Sequence, residues 1–242
     1  MNKKIFVILP AYCAERTLMS VYENIPHKAI DGVILTDDGS KDGTAKLSRK
    51  LGIKTFVHKE NKGYGANQKT CYREALKMGV DFIIMLHPDG QYDPLDIKKF
   101  INAYKNNEGD LIIGSRFRGE KNETPFYKAI SIRIIALIFN LVLGLKLTEV
   151  NSGYRGYKRE VLEKIPFEKN GNGYLFDPQA IIQTKYYGFK IAEVPVSKVY
   201  NEEAISPNFK KSIEHGIENI GLLVSYLCHI SKIKKADFLP AT

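Results

Sequence analysis

Short, unbroken apolar runs that stop abruptly at polar turns constrain this chain more than any other feature. Ile5–Leu9 is closed by Pro10, Val33–Thr36 by Asp37-Asp38-Gly39-Ser40, Phe82–Leu86 by His87–Pro94, and Leu111–Gly114 by Ser115-Arg116. Brief apolar runs without alternation suit parallel strands buried on both faces. Between them lie segments of helical spacing. Ala14–Ile25 carries Leu18, Val21, Tyr22 and Ile25, and Thr44–Leu51, Gly63–Met78 and Asp96–Lys105 read as helices, with a further short strand at Thr55–Val57. Repeated β-α-β with short connections predicts an α/β fold, a mostly parallel sheet with helices on both faces. Ligands of such sheets bind outside the carboxyl ends of the strands, where the turns at Asp37 and Asp89 fall.

The second half changes character. Phe126–Leu147 places Ile130, Ile134, Leu137, Ile138, Leu141 and Leu145 on one face. Its densest part, Ile134–Leu145, is shorter than the roughly 20 residues a membrane-spanning helix needs. It reads either as a core helix or as a helix lying in a membrane interface, flanked by Lys128, Arg133 and Lys146. Ile217–Ile233 is a second such segment, ending in Lys232, Lys234 and Lys235. Between them come a turn at Asn151–Gly156, a helix starting near Asp177-Pro178 and a strand at Lys190–Val194. Two regions are expected: residues 1–205, holding the sheet and the 126–147 helix, and a C-terminal amphipathic helical segment, 206–242.

A chain of 242 residues with 44% hydrophobic and 26% charged residues is globular, which excludes a disordered tail, a collagenous repeat and a polytopic membrane protein. The net charge of +9 suggests an anionic partner: nucleic acid, a phosphorylated small molecule or an anionic membrane surface. The aromatics do not interleave with Lys and Arg, and no nucleic-acid module signature is present, so a nucleic-acid partner is not expected. Cys13, Cys71 and Cys228 are spaced like free thiols in a reducing compartment. The first apolar run is too short for a signal peptide, and the expected location is cytoplasmic.

Four turns carry candidate chemistry. Asp37 and Asp38, adjacent at a strand end, repel unless donors reach them, and a nucleotide offers base N–H groups and ribose hydroxyls. Asp89 and Gln91, two apart on a turn, can present oxygen to one hard cation such as Mg²⁺ or Mn²⁺. Arg116, after a strand and beside two acidic turns, can neutralise a diphosphate or lipid phosphate. Ser152-Gly153-Tyr154-Arg155 suits a loop that holds an acceptor sugar or phosphate, yet each of these segments is also an ordinary turn by composition.

Together Pro10-Ala11-Tyr12, the Asp37–Thr44 run, Asp89-Gly90-Gln91, Gly114-Ser115-Arg116 and Ser152–Arg155 stand in the order of family-2-type inverting glycosyltransferases. Over residues 5 to about 215 the chain most resembles polyprenyl- or dolichyl-phosphate hexose synthases. The resemblance implies a GT-A-like sheet, with Pro10 and Tyr12 lining a base pocket and Asp37 and Asp38 binding base and ribose. It implies Asp89 and Gln91 at an Mg²⁺ or Mn²⁺ ion and Arg116 on phosphate. The chain departs from the family at His87, where a carboxylate is usual, and at Ala14, where a glutamate is common and Glu15 stands next. Beyond Val196, Lys198, Lys210 or Lys211 would replace the customary phosphate-gripping residues.

The implied reaction moves a hexose from a nucleoside diphosphate sugar to a polyprenyl phosphate at the inner membrane face. Arg133 and Arg155 would hold the acceptor phosphate and the 126–147 helix would dip into lipid. A phosphate nucleophile needs no base. A saccharide hydroxyl would need one, and Glu149 and Asp177 are the candidates, Asp177 also suiting a helix N-cap. The alternatives are such a saccharide-directed glycosyltransferase and a catalytically degenerate sugar-nucleotide binder.

Overall fold

The computed structural model describes residues 3–119, 121–199 and 209–240, with side chains in the last segment from residue 214 onward. The expected alternation is present: β1 (Ile5–Ala11), α1 (Glu15–Asn24), β2 (Gly32–Asp37), α2 (Thr44–Lys50), β3 (Lys54–Val57), α3 (Tyr64–Lys77), β4 (Phe82–Met85), α4 (Ile97–Lys105) and β5 (Leu111–Ser115). Then follow α5 (Phe126–Leu143), β6 (Arg155–Lys158), α6 (Arg159–Lys164), α7 (Phe176–Tyr186), β7 (Ile191–Pro195) and α8 (Phe209–Ile230).

Among the described residues, seven strands form one sheet in the order β3-β2-β1-β4-β6-β5-β7. All pairs are parallel except those of β6, which runs antiparallel to β4 and β5. Alternate residues of β1 feed opposite faces: Val7 and Leu9 pack with α1 and α4, Ile8 with α3, α5 and α7. That division explains why the strands read as continuous apolar runs.

Register sets the position of the site. Ala11 pairs with Asp37 and Ile8 with Met85, so β1, β2 and β4 end at one edge. Because β6 is reversed, its first residue, Arg155, pairs with both Met85 and Ile113. The loop entering β6 therefore reaches the same edge as the loops leaving the parallel strands. The 151–156 segment, expected as a turn, runs into this strand at Arg155.

The 126–147 helix ends four residues early. Gly144 takes a left-handed conformation (φ 62°), and Asn140 closes the following turn by side-chain bonds to Leu147, accepting from its N–H and donating to its carbonyl, both at 2.8 Å. The core reading holds for one face of this helix, and the other face is exposed. Ile135, Ala136, Phe139 and Leu143 are buried in the core, whereas Phe126, Ile130, Ile134, Leu137 and Leu141 point outward. Phe126 is 81% and Leu141 76% exposed. With 18 residues and a mean hydropathy of 1.8, α5 is long and apolar enough to cross a membrane, but one face is committed to the protein.

The helix expected from Ile217 starts at Phe209 and ends at Ile230. It packs on α5 and α7, burying Leu222 and Leu223 and leaving Ile217, Ile220, Val224 and Leu227 outside. The expected boundary at 205/206 lies outside the described residues.

Candidate active site

A cavity of about 840 Å³ opens at the strand edge. Pro10, Tyr12, Asp38, Asp89, Gln91, Arg116 and Gly153 line it. Asp37, Arg133, Ser152, Tyr154 and Arg155 do not, and each of these five differs from the sequence expectation for a local reason.

One oxygen of Asp37, Oδ1, is engaged within its own turn. It accepts from the backbone N–H of Ser40 at 3.3 Å and from the Ser40 hydroxyl. Asp38 reaches the cavity wall, yet it also collects donors from the chain. Lys62 N–H and Gly63 N–H donate to its two oxygens at 2.9 Å each, and His58 Nδ1 lies 2.6 Å away. The donors that adjacent carboxylates require thus come from the 58–63 loop rather than from a ligand alone. Gly63 permits this loop path: its φ is 99°, and a Cβ there would meet the Asn172 carbonyl at 2.7 Å.

Arg155 is fully buried beneath the 150–153 loop. It donates to the carbonyls of Ser152 (2.6 Å), Val150 (2.7 Å) and Asp177 (3.0 Å), and its Nε lies 3.6 Å from Asp177 Oδ1. Burial, the largest single influence, would lower its pKa, but the Asp177 carboxylate together with the Tyr157 and Tyr64 hydroxyls holds the guanidinium above its ordinary value. Arg155 therefore shapes the loop from below and has no route to an acceptor. Ser152 and Tyr154 are buried with it; the Ser152 hydroxyl bonds Tyr92 OH at 3.2 Å, and Tyr154 stacks on Phe100 at 4.6 Å. Arg133 sits outside on α5, its guanidinium 4.9 Å from the Phe117 ring centroid.

The cationic wall has other members. Arg116 is buried, ion-paired to Glu149 through Nε at 2.9 Å and donating to Tyr92 OH at 3.1 Å. Lys128 and Lys198 line the cavity beside it. Lys198 Nζ stands 4.7 Å over the Tyr92 ring, and burial, reinforced by Arg116, brings its pKa down to about 7. Burial and Arg116 also lower Lys128. Lys210 and Lys211, named as substitutes for the phosphate-gripping residues, lie outside the described side chains. Lys128 was legible only as a helix flank, because its approach to Arg116 depends on how α5 crosses the sheet edge.

Neither candidate base faces the cavity. Glu149 is buried against Arg116, and Asp177 accepts from Tyr64 OH at 2.6 Å and Gln68 Nε2 at 3.3 Å. Asp177 is not the N-cap of α7 but lies in its first turn, after Leu175. Glu15 is also engaged: it accepts from Gly43 N–H at 2.8 Å, bracing the start of α2.

Asp89 accepts from Gln91 N–H at 3.0 Å and Gln91 Nε2 at 2.8 Å. Gln91 thus braces the carboxylate through its amide nitrogen, which leaves the amide oxygen as the atom it could offer a cation. Among the described residues no cluster of three or more His, Cys, Asp or Glu side chains could hold a metal alone. Asp89 and the His87 ring, two positions apart on one cavity wall, do fit a cation whose remaining ligands are phosphate oxygens and water.

The opposite part of the cavity is apolar. Tyr127, Ile132, Ile134 and Ile135 of α5 and Ile217 and Ile220 of α8 form it, so a polar chamber at the strand tips continues into a groove between two helices.

A model of glycosyl transferase family 2 matches residues 6–166. The chain is 28% identical over 224 residues to a UDP-N-acetylglucosamine–dolichyl-phosphate N-acetylglucosaminyltransferase from Methanococcus voltae, covering 85% of this chain and 89% of that one. It is 27% identical over 215 residues to a polyprenol monophosphomannose synthase from Mycolicibacterium smegmatis, covering 85% and 81%. In fold it is similar to glucosyl-3-phosphoglycerate synthase from Mycobacterium tuberculosis, with a TM-score of 0.72, 19% identity and coverage of 93% and 80%. That synthase has also been crystallised with Mn²⁺, UDP and phosphoglyceric acid, a structure matching with a TM-score of 0.68, 19% identity and coverage of 98% and 80%. The strand order, the turns at the sheet edge and the family match agree: this chain belongs to glycosyl transferase family 2 and is a glycosyltransferase on a GT-A-type sheet.

Proposed function

We propose that the protein transfers a hexose, with inversion at C1, from a nucleoside diphosphate sugar to a polyprenyl phosphate at the cytoplasmic face of a membrane. One observation carries this reading. The polar chamber opens into an apolar groove between α5 and α8, and both helices carry an outward row of large apolar side chains. A soluble sugar acceptor has no use for such a groove, whereas an isoprenoid chain fills it while its phosphate stays at the polar end. The named activities of the Methanococcus and Mycolicibacterium relatives support the same substrate classes.

The roles follow from placement. Pro10, Tyr12 and Asp38, with the loop Asp38 holds, would receive base and ribose. Asp89 would hold the Mg²⁺ or Mn²⁺ bridge to the diphosphate; when bound, that ion neutralises charge gathering on the leaving nucleoside diphosphate. Arg116 and Lys128 add positive charge on the same wall, joined by Lys198 below about pH 7, and such charge is worth more in a water-poor cavity than in solution. An acceptor phosphate is already an anion at neutral pH and attacks C1 without a base. That agrees with the engagement of Glu149 and Asp177 elsewhere and disfavours a hydroxyl acceptor.

The test is direct. Purified protein with Mn²⁺ or Mg²⁺ and UDP-, GDP- or dTDP-hexoses should form a polyprenyl-phosphate-linked sugar, read by mass spectrometry. Leu137→Glu combined with Leu141→Glu should abolish sedimentation with anionic vesicles while sparing donor binding, since both side chains point outward and neither lines the cavity. Transfer to saccharides with none to the lipid overturns the acceptor assignment.

Lys198 adds a pH dependence. With its pKa near 7, it is cationic below that value and neutral above it. UDP affinity should therefore fall several-fold as pH rises from 6 to 8.5, less steeply in Lys198→Met, as measured by calorimetry at constant ionic strength. A wild-type curve no steeper than the variant's removes Lys198 from the phosphate wall.

A further inference from the structure

The residue that departs most from the family pattern, His87, is held in one tautomer by a chain of hydrogen-bonded groups running back to the buried Asp177. Tyr64 OH donates its single proton to Asp177 Oδ2 at 2.6 Å, while His87 Nε2 lies 3.2 Å from the same phenol oxygen. With that proton committed to the nearer carboxylate, the phenol oxygen accepts from the imidazole. Nε2 therefore carries the hydrogen and Nδ1 the lone pair. Burial and the adjacent Asp177 push the Tyr64 hydroxyl well above its ordinary pKa, so it keeps its proton. Asp177 is itself fixed by Gln68 at 3.3 Å and by Arg155 at 3.6 Å.

Packing fixes the ring as well. The Tyr64 ring lies 5.2 Å from it, and a Cβ built on Gly153 would fall 2.6 Å from Nε2 and 2.8 Å from Cδ2. The Nε2–Cδ2 edge is therefore the one pressed against the 150–153 loop. Nδ1 lies across the ring from Cδ2, and among the described residues no hydrogen bond engages it.

We propose that His87 ligates the donor-bridging cation through Nδ1, beside Asp89, and that this nitrogen makes the site prefer Mn²⁺ over Mg²⁺. The proposal rests on the donor-site reading above. Mg²⁺ demands oxygen ligands in near-ideal octahedral geometry, whereas imidazole suits metals later in the first transition row, and Mn²⁺ tolerates it better than Mg²⁺ does. A ligating imidazole ordinarily donates its other N–H to an outer partner that sets its orientation; here that partner is Tyr64, backed by Asp177. Tyr64 is thus a positioning residue, and the Asp177 carboxylate, read from sequence as a base or cap, anchors the relay.

Mn²⁺ titrated into the protein with UDP, followed by electron paramagnetic resonance, tests this without any transfer assay. The wild type should give electron spin-echo modulation from one directly bound histidine nitrogen, altered on ¹⁵N-histidine labelling. His87→Asp should still bind Mn²⁺, lose the nitrogen signal and shift the Mn²⁺:Mg²⁺ affinity ratio toward Mg²⁺ by about tenfold or more. Tyr64→Phe should weaken Mn²⁺ binding roughly tenfold and reduce the modulation, an effect a packing role alone would not produce. His87→Asn, close in size, serves as a second variant should His87→Asp fold poorly. Mn²⁺ and UDP binding that needs Asp89 but shows no nitrogen coupling and no change in metal preference at position 87 overturns this proposal alone. UDP binding indifferent to both metals and to Asp89→Ala overturns the donor-site reading and this proposal with it.

Discussion

Asp89→Ala is expected to lower the transfer rate roughly 10³-fold, about 4 kcal/mol of barrier, and to abolish the metal dependence of nucleotide binding. The magnitude follows from the charge this carboxylate would bring to the cation. Among the described residues no cluster of three acidic, histidine or cysteine ligands shares the load, so Asp89 is the charged ligand a cation on this wall would have, with the neutral His87 ring beside it. Gln91 is a poor substitute, because its amide can offer a cation a neutral oxygen but no charge. Asp89→Asn should be nearly as damaging, since the amide keeps the shape and loses the charge. Stability should change little, because Asp89 is only half-buried in an open cavity. Steady-state kinetics together with calorimetric UDP titration, with and without Mn²⁺, separates the two effects. Wild-type metal dependence in Asp89→Ala would remove the residue from the site.

Arg155→Ala is expected to act on the fold. Removing one partner of a buried, hydrogen-bonded ion pair leaves the other charge uncompensated, at a cost of about 3–5 kcal/mol. In a chain of this size that corresponds to a fall of roughly 10 °C in melting temperature. Three carbonyls, those of Val150, Ser152 and Asp177, would lose their donor at once. Thermal and chemical denaturation measure this. If Arg155 instead held the acceptor phosphate, the variant would keep its stability and raise only the acceptor KM.

Arg155 also illustrates what the sequence carried. The strands, the helices of the first half and the edge where the site lies were legible, because apolar runs and turn residues report local geometry. The β6 strand was not. Its run, Arg155-Gly156-Tyr157-Lys158, has no apolar pattern, since Gly156 leaves room for Phe82 and Tyr157 packs among aromatics. Without that strand, an arginine after Ser-Gly-Tyr reads as a loop residue facing a ligand. That Asp37 stands off the cavity wall was illegible for a related reason: a turn that engages its own carboxylate has the same composition as one that presents it to a nucleotide. The convergence of Lys128, Lys198 and Arg116 joins residues far apart in the chain, and only tertiary packing brings them together.

The reversed strand has a consequence for how the molecule assembles. β1 to β4 already find partners among themselves within residues 5–85, whereas β5 has no strand partner at all until β6 arrives some forty residues later, and none on its outer side until β7. Closing such loops costs chain entropy before any contact repays it. The half of the sheet that carries Asp38 and Asp89 should therefore gain hydrogen-exchange protection first. The half that carries Arg116 should follow only once β6 has wedged itself between two strands already made.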